Sequence, residues 1–138
     1  MALTIGIGKN YQEIQKLQNS DWCKLQLIDD GYYSFLYNYF EIAKLSEAES
    51  DLIDLYDNCE INDYQLIRLK QVMEICLKDV QWRSEEFEVL TSWVGIQTLE
   101  TEVRKTITKS RLIDIIETLL TLIDNAISSN LKLICIGD

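Results

Sequence analysis

Residues 109–137, KSRLIDIIETLLTLIDNAISSNLKLICIG, carry the strongest hydrophobic periodicity in the chain. Between Lys109 and Ser128 the residues Leu112, Ile113, Ile115, Ile116, Leu119, Leu120, Leu122, Ile123, Ala126 and Ile127 fall together on a helical wheel. At about 100° per residue they cover roughly two thirds of the circumference. Asp114, Glu117, Thr121 and Asp124 share the remaining stripe. A helix this apolar must be enclosed on three sides, which predicts it as the centre of a helical bundle. Ser129-Asn130 ends it, and LKLICIG at 131–137 then reads as a strand. A matching signal opens the chain: LTIGI at 3–7 is short and apolar, with a close backbone contact expected at Gly6. These terminal segments are expected to pair, resting on helices, because two strands alone are marginal.

Between them the chain reads as helices. Asn10 caps a short one to about Leu17; residues 19–30 suit either a structured loop or a brief strand at Leu25 and Leu27. Residues 31–45 form a helix behind the caps Asp29 and Asp30, with Tyr32, Phe35, Leu36, Tyr39, Phe40, Ile42 and Ala43 inward and Tyr33 and Tyr37 at the flank. Ser46 and Glu49 have capping-box spacing, so another helix is predicted from Ser46 to about Asn58. Its inward residues would be Ala48, Leu52, Leu55, Tyr56 and Cys59. A third runs from Asn62 or Asp63 to about Val80, burying Leu66, Leu69, Met73, Cys76 and Leu77. Residues 85–94, EEFEVLTSWV, allow helix or strand, and Ser84 before two glutamates favours helix. After a break at Gly95, residues 96–109 are expected to continue as helix with Val103 and Ile107 inward. The expected fold is therefore mainly α: a single-domain helical bundle over 1–138, with a small two-stranded β element formed by the N- and C-terminal segments.

With 138 residues the chain suits one domain large enough for a substantial core. The start lacks a basic signal region and no apolar run is long enough to span a bilayer, which predicts a cytoplasmic protein away from membranes. Cys23, Cys59, Cys76 and Cys135 are widely spaced and read as reduced core thiols, with no CxxC.

Charge is the most localised property. From Asp29 to Asp63 ten acids (Asp29, Asp30, Glu41, Glu47, Glu49, Asp51, Asp54, Asp57, Glu60, Asp63) face Lys44 alone, which is −9 of the net −10. Such a balance disfavours nucleic acid, whose binding needs clustered Lys and Arg. It suits a basic partner, whose approach an acidic field accelerates. On the predicted helix Asp51, Asp54 and Asp57 make a slanting ridge, since a three-residue step slips by about 60° per step. Glu60 and Asp63 continue it around a corner. With no Lys or Arg within four residues, the ridge lacks local counter-charge.

Chemistry finds little footing. The chain has no histidine, hence no imidazole base or ligand, and no catalytic residue, metal ligand or cofactor is assigned. Gly6, Gly8 and Lys9 lack the remainder of a phosphate loop. Asp51-x-x-Asp54 and Glu60-x-x-Asp63 distantly resemble the magnesium motifs of all-α nucleotide pyrophosphatases, but lie too close in sequence for opposed helices. A metal-dependent nucleotide hydrolase is thus the enzymatic alternative, and a structural or adaptor subunit the other.

In its size, its acidic helical character and the Asp51–Asp63 ridge beside Tyr33 and Tyr37, the chain resembles the small immunity proteins of bacterial contact-dependent inhibition and polymorphic toxin systems. The resemblance implies an acidic face that docks on a cognate toxin domain, often a basic nuclease, and blocks its active or substrate-binding surface; a monomer or weak homo-oligomer is expected. Tyr33, Tyr37, Asp51, Asp54, Asp57, Glu60 and Asp63 are the expected partner-binding residues.

Overall fold

The computed structural model describes residues 2–28, 30–45, 51–96 and 99–137. Eleven elements follow in order: β1 (Ala2–Gly8), α1 (Tyr11–Gln15), α2 (Asn19–Trp22), β2 (Leu25–Ile28), α3 (Tyr32–Ile42), β3 (Cys59–Ile61), α4 (Asp63–Val80), β4 (Glu86–Ile96), β5 (Leu99–Thr108), α5 (Lys109–Ser128) and β6 (Lys132–Gly137). Four strands form an antiparallel sheet in the order β2-β1-β6-β3, and β4 and β5 form a separate hairpin. The expectation of a mainly helical bundle is overturned: this is a mixed α/β fold. The terminal strands do pair, Leu3 opposite Gly137 through Gly8 opposite Lys132, but as the central strands of a four-stranded sheet.

Alternation along β1 and β6 separates two cores, because successive side chains of a strand point to opposite faces. Leu3, Ile5, Leu133 and Cys135 join Leu27 and Ile61 on the face covered by α3, α4 and α5. On the other face Ile134 meets Ile14 and Trp22 of α1 and α2. Gly6 permits that second contact: a Cβ there would overlap the Trp22 carbonyl oxygen and ring. Asn10 caps α1 as expected, its side chain accepting from the Glu13 backbone N–H at 2.8 Å.

Helix α5 keeps its predicted bounds and buries Leu112, Ile115, Ile116, Leu119, Leu122, Ile123 and Ala126. It lies between α4 and the sheet rather than at the middle of a bundle, and Lys70 ties α4 to it through Asp124 at 2.7 Å. Helix α4 also matches its prediction, burying Leu66, Leu69, Met73 and Cys76. No described helix is long and apolar enough to cross a membrane.

Two predicted helices are the hairpin instead. Glu86 pairs with Thr108 through Ile96 with Leu99, with an irregularity between Leu90 and Ser92. Phe87 and Val89 alternate with Glu86 and Glu88 and pack on the main core, where Ile107 is fully buried. In the facing arm, the β-branched Thr106, Ile107 and Thr108 suit a pleated strand better than a helix turn. The strand runs through Gly95, where a break was expected.

The helix predicted for 46–58 is corrected over its described part: residues 51–58 are turns and bends leading into β3. The Ser46–Glu49 capping box and Ala48 lie outside the described residues. In place of a helical stripe, Ile53 and Leu55 are buried while Tyr56, expected inward, is 56% exposed. Helix α3 is likewise turned from its predicted orientation, with Tyr33 9% exposed and Ile42 58% exposed. Its N-cap is Gly31, and Asp30 accepts from the Tyr32 backbone N–H at 3.3 Å.

Candidate partner-binding site

The acidic segment 51–63 spans one irregular loop, strand β3 at the sheet edge and the first residue of α4. Its loop is fastened from two sides. From α3, the Tyr33 hydroxyl donates to the Ile53 carbonyl oxygen at 2.6 Å and the Tyr37 hydroxyl donates to Asp51 Oδ1 at 2.8 Å. Glu41, paired with Lys44 at 2.9 Å, accepts from the Leu52 backbone N–H at 3.2 Å. From β6, the Gly137 backbone N–H donates to the Asp57 carbonyl oxygen at 2.9 Å. A Cβ at Gly137 would overlap the Asp57 backbone nitrogen and oxygen. Gly137→Ala is therefore expected to cost about 1–3 kcal/mol, the usual range for overpacking. It should also free the amide hydrogens of 57–58 to exchange faster, a pairing of effects that urea denaturation and hydrogen exchange would read.

These contacts sort the expected site residues into two groups. Tyr33 is a core residue whose ring lies 6.1 Å from Tyr37 and 6.3 Å from Phe40. Tyr37 and Asp51 spend their polar atoms on each other, and Glu60 accepts from the Tyr11 backbone N–H and pairs with Lys132 at 3.4 Å. The remaining acids are different. Among the described residues, the Asp54 and Asp57 side chains accept only neighbouring backbone N–H groups, from Tyr56 at 2.9 Å and Asn58 at 2.8 Å. Asp63 is exposed at the start of α4. Among the described residues, no Lys or Arg lies within ion-pair range of Asp54, Asp57 or Asp63. The slanting helical ridge does not exist, but the acids still lie along one continuous segment at the sheet edge.

Two tyrosines outside the expected partner-binding set lie among these acids. Tyr56 adjoins Asp57, and Tyr64, 78% exposed, adjoins Asp63. The wheel of α4 contained the signal for Tyr64, which falls opposite the Leu66, Leu69 and Met73 stripe. For Tyr56 no such signal existed, since its exposure follows from the loop.

The pyrophosphatase-like pairs do not come together on helices. Asp51 and Asp54 are in the loop, Glu60 in β3 and Asp63 at the α4 start. Among the described residues, no group of three His, Cys, Asp or Glu is arranged to hold a metal ion. A cleft of about 550 Å³ lies between α3, α4 and β4. Arg83 crosses its floor over the Phe35 and Phe87 rings, at 5.2 and 4.9 Å. None of the acids from 51 to 63 lines it.

Local electrostatics favour protonated tyrosines. The hydrogen bond to Asp51, then burial and the nearby carboxylates, push Tyr37 up to about 12. Burial, followed by the neighbouring Cys76 and Asp79, pushes Tyr39 up to about 12. Burial raises Tyr33 further still. Burial also lifts the Cys76 thiol to about 12, and a hydrogen bond with Cys59 together with burial raises Cys135. All five groups hold their protons more firmly folded than unfolded, so their contribution to stability is complete below the unfolded values and is lost as pH rises. Urea midpoints should therefore fall from about pH 8.5, where unfolded thiols ionise, and more steeply above about pH 10, where unfolded tyrosines do. Tyr37→Phe should flatten the steeper part; an unchanged slope would contradict the Asp51 contact.

Against protein-family models, curated proteins and solved structures, the chain has no match. The site therefore rests on its own geometry.

Proposed function

We propose that this protein is a binding inhibitor of the immunity type, acting in the cytoplasm on a cognate basic toxin domain, most plainly a nuclease, by covering its active or substrate-binding surface. The observation that carries this is the run Asp54, Asp57 and Asp63: three carboxylates without cationic partners among the described residues, on one segment at a sheet edge. Neighbouring like charges without internal counter-ions weaken a fold slightly. A basic partner supplies the missing charge and is drawn in by the field. The exposed Tyr56 and Tyr64 add what acids do not, since tyrosine presents a large amphipathic contact with little conformational freedom to lose.

The test is a toxin domain encoded beside this gene, produced with and without this protein. Growth rescue, and a purified complex that dissociates as salt is raised, are the expected results. Tyr64→Ala should weaken that complex while changing folding stability by less than about 0.5 kcal/mol, as surface substitutions do. A basic toxin domain that neither binds nor is neutralised would end the proposal.

A further inference from the structure

Two of the four cysteines, 76 residues apart in sequence, meet in space. Cys59 of β3 lies directly opposite Cys135 of β6 in the antiparallel register. Opposed residues in such a ladder point to the same face of the sheet, and here both side chains enter the main core, with Cys135 fully buried and Cys59 half-buried. Cys23 lies in the connection before β2 and Cys76 in α4, so neither has a cysteine facing it across a strand pair.

We propose that Cys59 and Cys135 are an oxidation site, closing a cross-strand disulfide when the protein meets a small-molecule disulfide. The geometry is close to what the bond needs. Opposed residues of antiparallel strands have Cα atoms about 4.5–5.5 Å apart, inside the window of about 4.4–6.8 Å that disulfides occupy. Their Cβ atoms sit about 4.5–5.5 Å apart, against about 3.8 Å in a disulfide, so the strands must draw together slightly. Strand β3 suits that movement: it has three residues, lies at the sheet edge and is hydrogen-bonded on one side only.

Exposure sets the order of events. Cys59, the accessible thiol, attacks one sulfur of the oxidant as its thiolate and expels one small thiol, leaving a mixed disulfide at position 59. Cys135 then loses its proton and attacks the Cys59 sulfur, expelling the second small thiol. Two protein thiols become one disulfide, one small disulfide becomes two small thiols, and both protons leave with the released thiols. Cys135 is fully buried, which disfavours its thiolate and makes the second step the slow one, on the scale of minutes to hours without a catalyst. The bond ties the end of the acidic loop to a central strand and stands whether or not the protein binds a toxin.

The experiment is incubation of the reduced full-length protein with oxidised glutathione, an acid quench, and alkylation of the remaining thiols after unfolding. The expected product has lost two hydrogens, has two unalkylated cysteines, and yields a peptide linking Cys59 to Cys135. Closing so long a loop should raise the melting temperature by about 5–10 °C, reversed by a reductant. Cys23→Ser should leave the linkage intact. Cys59→Ser, at the half-buried position, should abolish both linkage and melting shift while remaining folded. Four alkylated thiols, glutathione retained at Cys59 without transfer, or a link between any other pair would each overturn the proposal.

Discussion

Tyr33→Ala is expected to destabilise the protein by about 3–5 kcal/mol, the range for removing a buried aromatic ring. The ring is 9% exposed, packed against Phe40 and Tyr37, and holds the acidic loop through the Ile53 carbonyl. Alanine leaves a cavity beneath that loop and an acceptor without its donor. Tyr33→Phe separates the two losses: it keeps the ring and removes only the hydroxyl, at about 1–3 kcal/mol for the orphaned carbonyl. Denaturant unfolding of both variants would read these values. A phenylalanine variant as stable as the parent would show that the 2.6 Å hydrogen bond contributes nothing net. If instead Tyr33 served as a direct contact, the phenylalanine variant would weaken a complex without weakening the fold. The structure predicts the reverse.

The second large effect concerns association. Changing Asp54, Asp57 and Asp63 together to asparagine removes three negative charges that have no internal cationic partner among the described residues. With a basic partner the association rate at low salt should fall by about tenfold or more, since steering of this kind raises rates by about 10–1000-fold. Dissociation should change less, because steering acts on the encounter. At physiological ionic strength the Debye length is about 8 Å, so parent and variant should converge as salt rises. Stability should hold or improve, as like charges are being removed. Stopped-flow mixing across a salt series gives the answer. Rates and salt slopes equal to the parent's would remove the acidic segment from the interface. Asp51 and Glu60 are left out because they hold Tyr37, Tyr11 and Lys132.

How far the fold was legible depended on whether a segment's partners were local. Helices α4 and α5 announced themselves because Leu66, Leu69 and Met73, or Leu112, Ile116 and Leu119, repeat at helical spacing whatever lies opposite. The hairpin did not. Phe87 and Val89 alternate with Glu86 and Glu88, yet the same stretch carries Glu and Leu, which favour helices, and pairing with Thr106 and Thr108 settles the contest. In α3 aromatics run almost round the wheel, so the apolar pattern alone did not fix the rotation that buries Tyr33 and exposes Ile42. The site was legible as composition and misjudged as geometry. Acids at every third position suggested a helical ridge, while the loop's shape comes from Tyr33, Tyr37 and Gly137, none of them adjacent to it in sequence.

The pairing of β1 with β6 bears on how the chain is made as well as on how it stands. Residues 3–8 leave the ribosome well over a hundred residues before their central partner, residues 132–137, is made. Until then β1 has only the short β2 beside it, and β3 has no strand at all, since its neighbour in the sheet is β6. The helices can form as they emerge, but the apolar side of β1 stays without half its cover until β6 has been made. Folding of the sheet is thus a late, all-at-once event, with a high proportion of distant contacts and correspondingly slow closure. A nascent chain stalled before Lys132 would present Leu3 and Ile5 to whatever else binds exposed apolar strands in the cell.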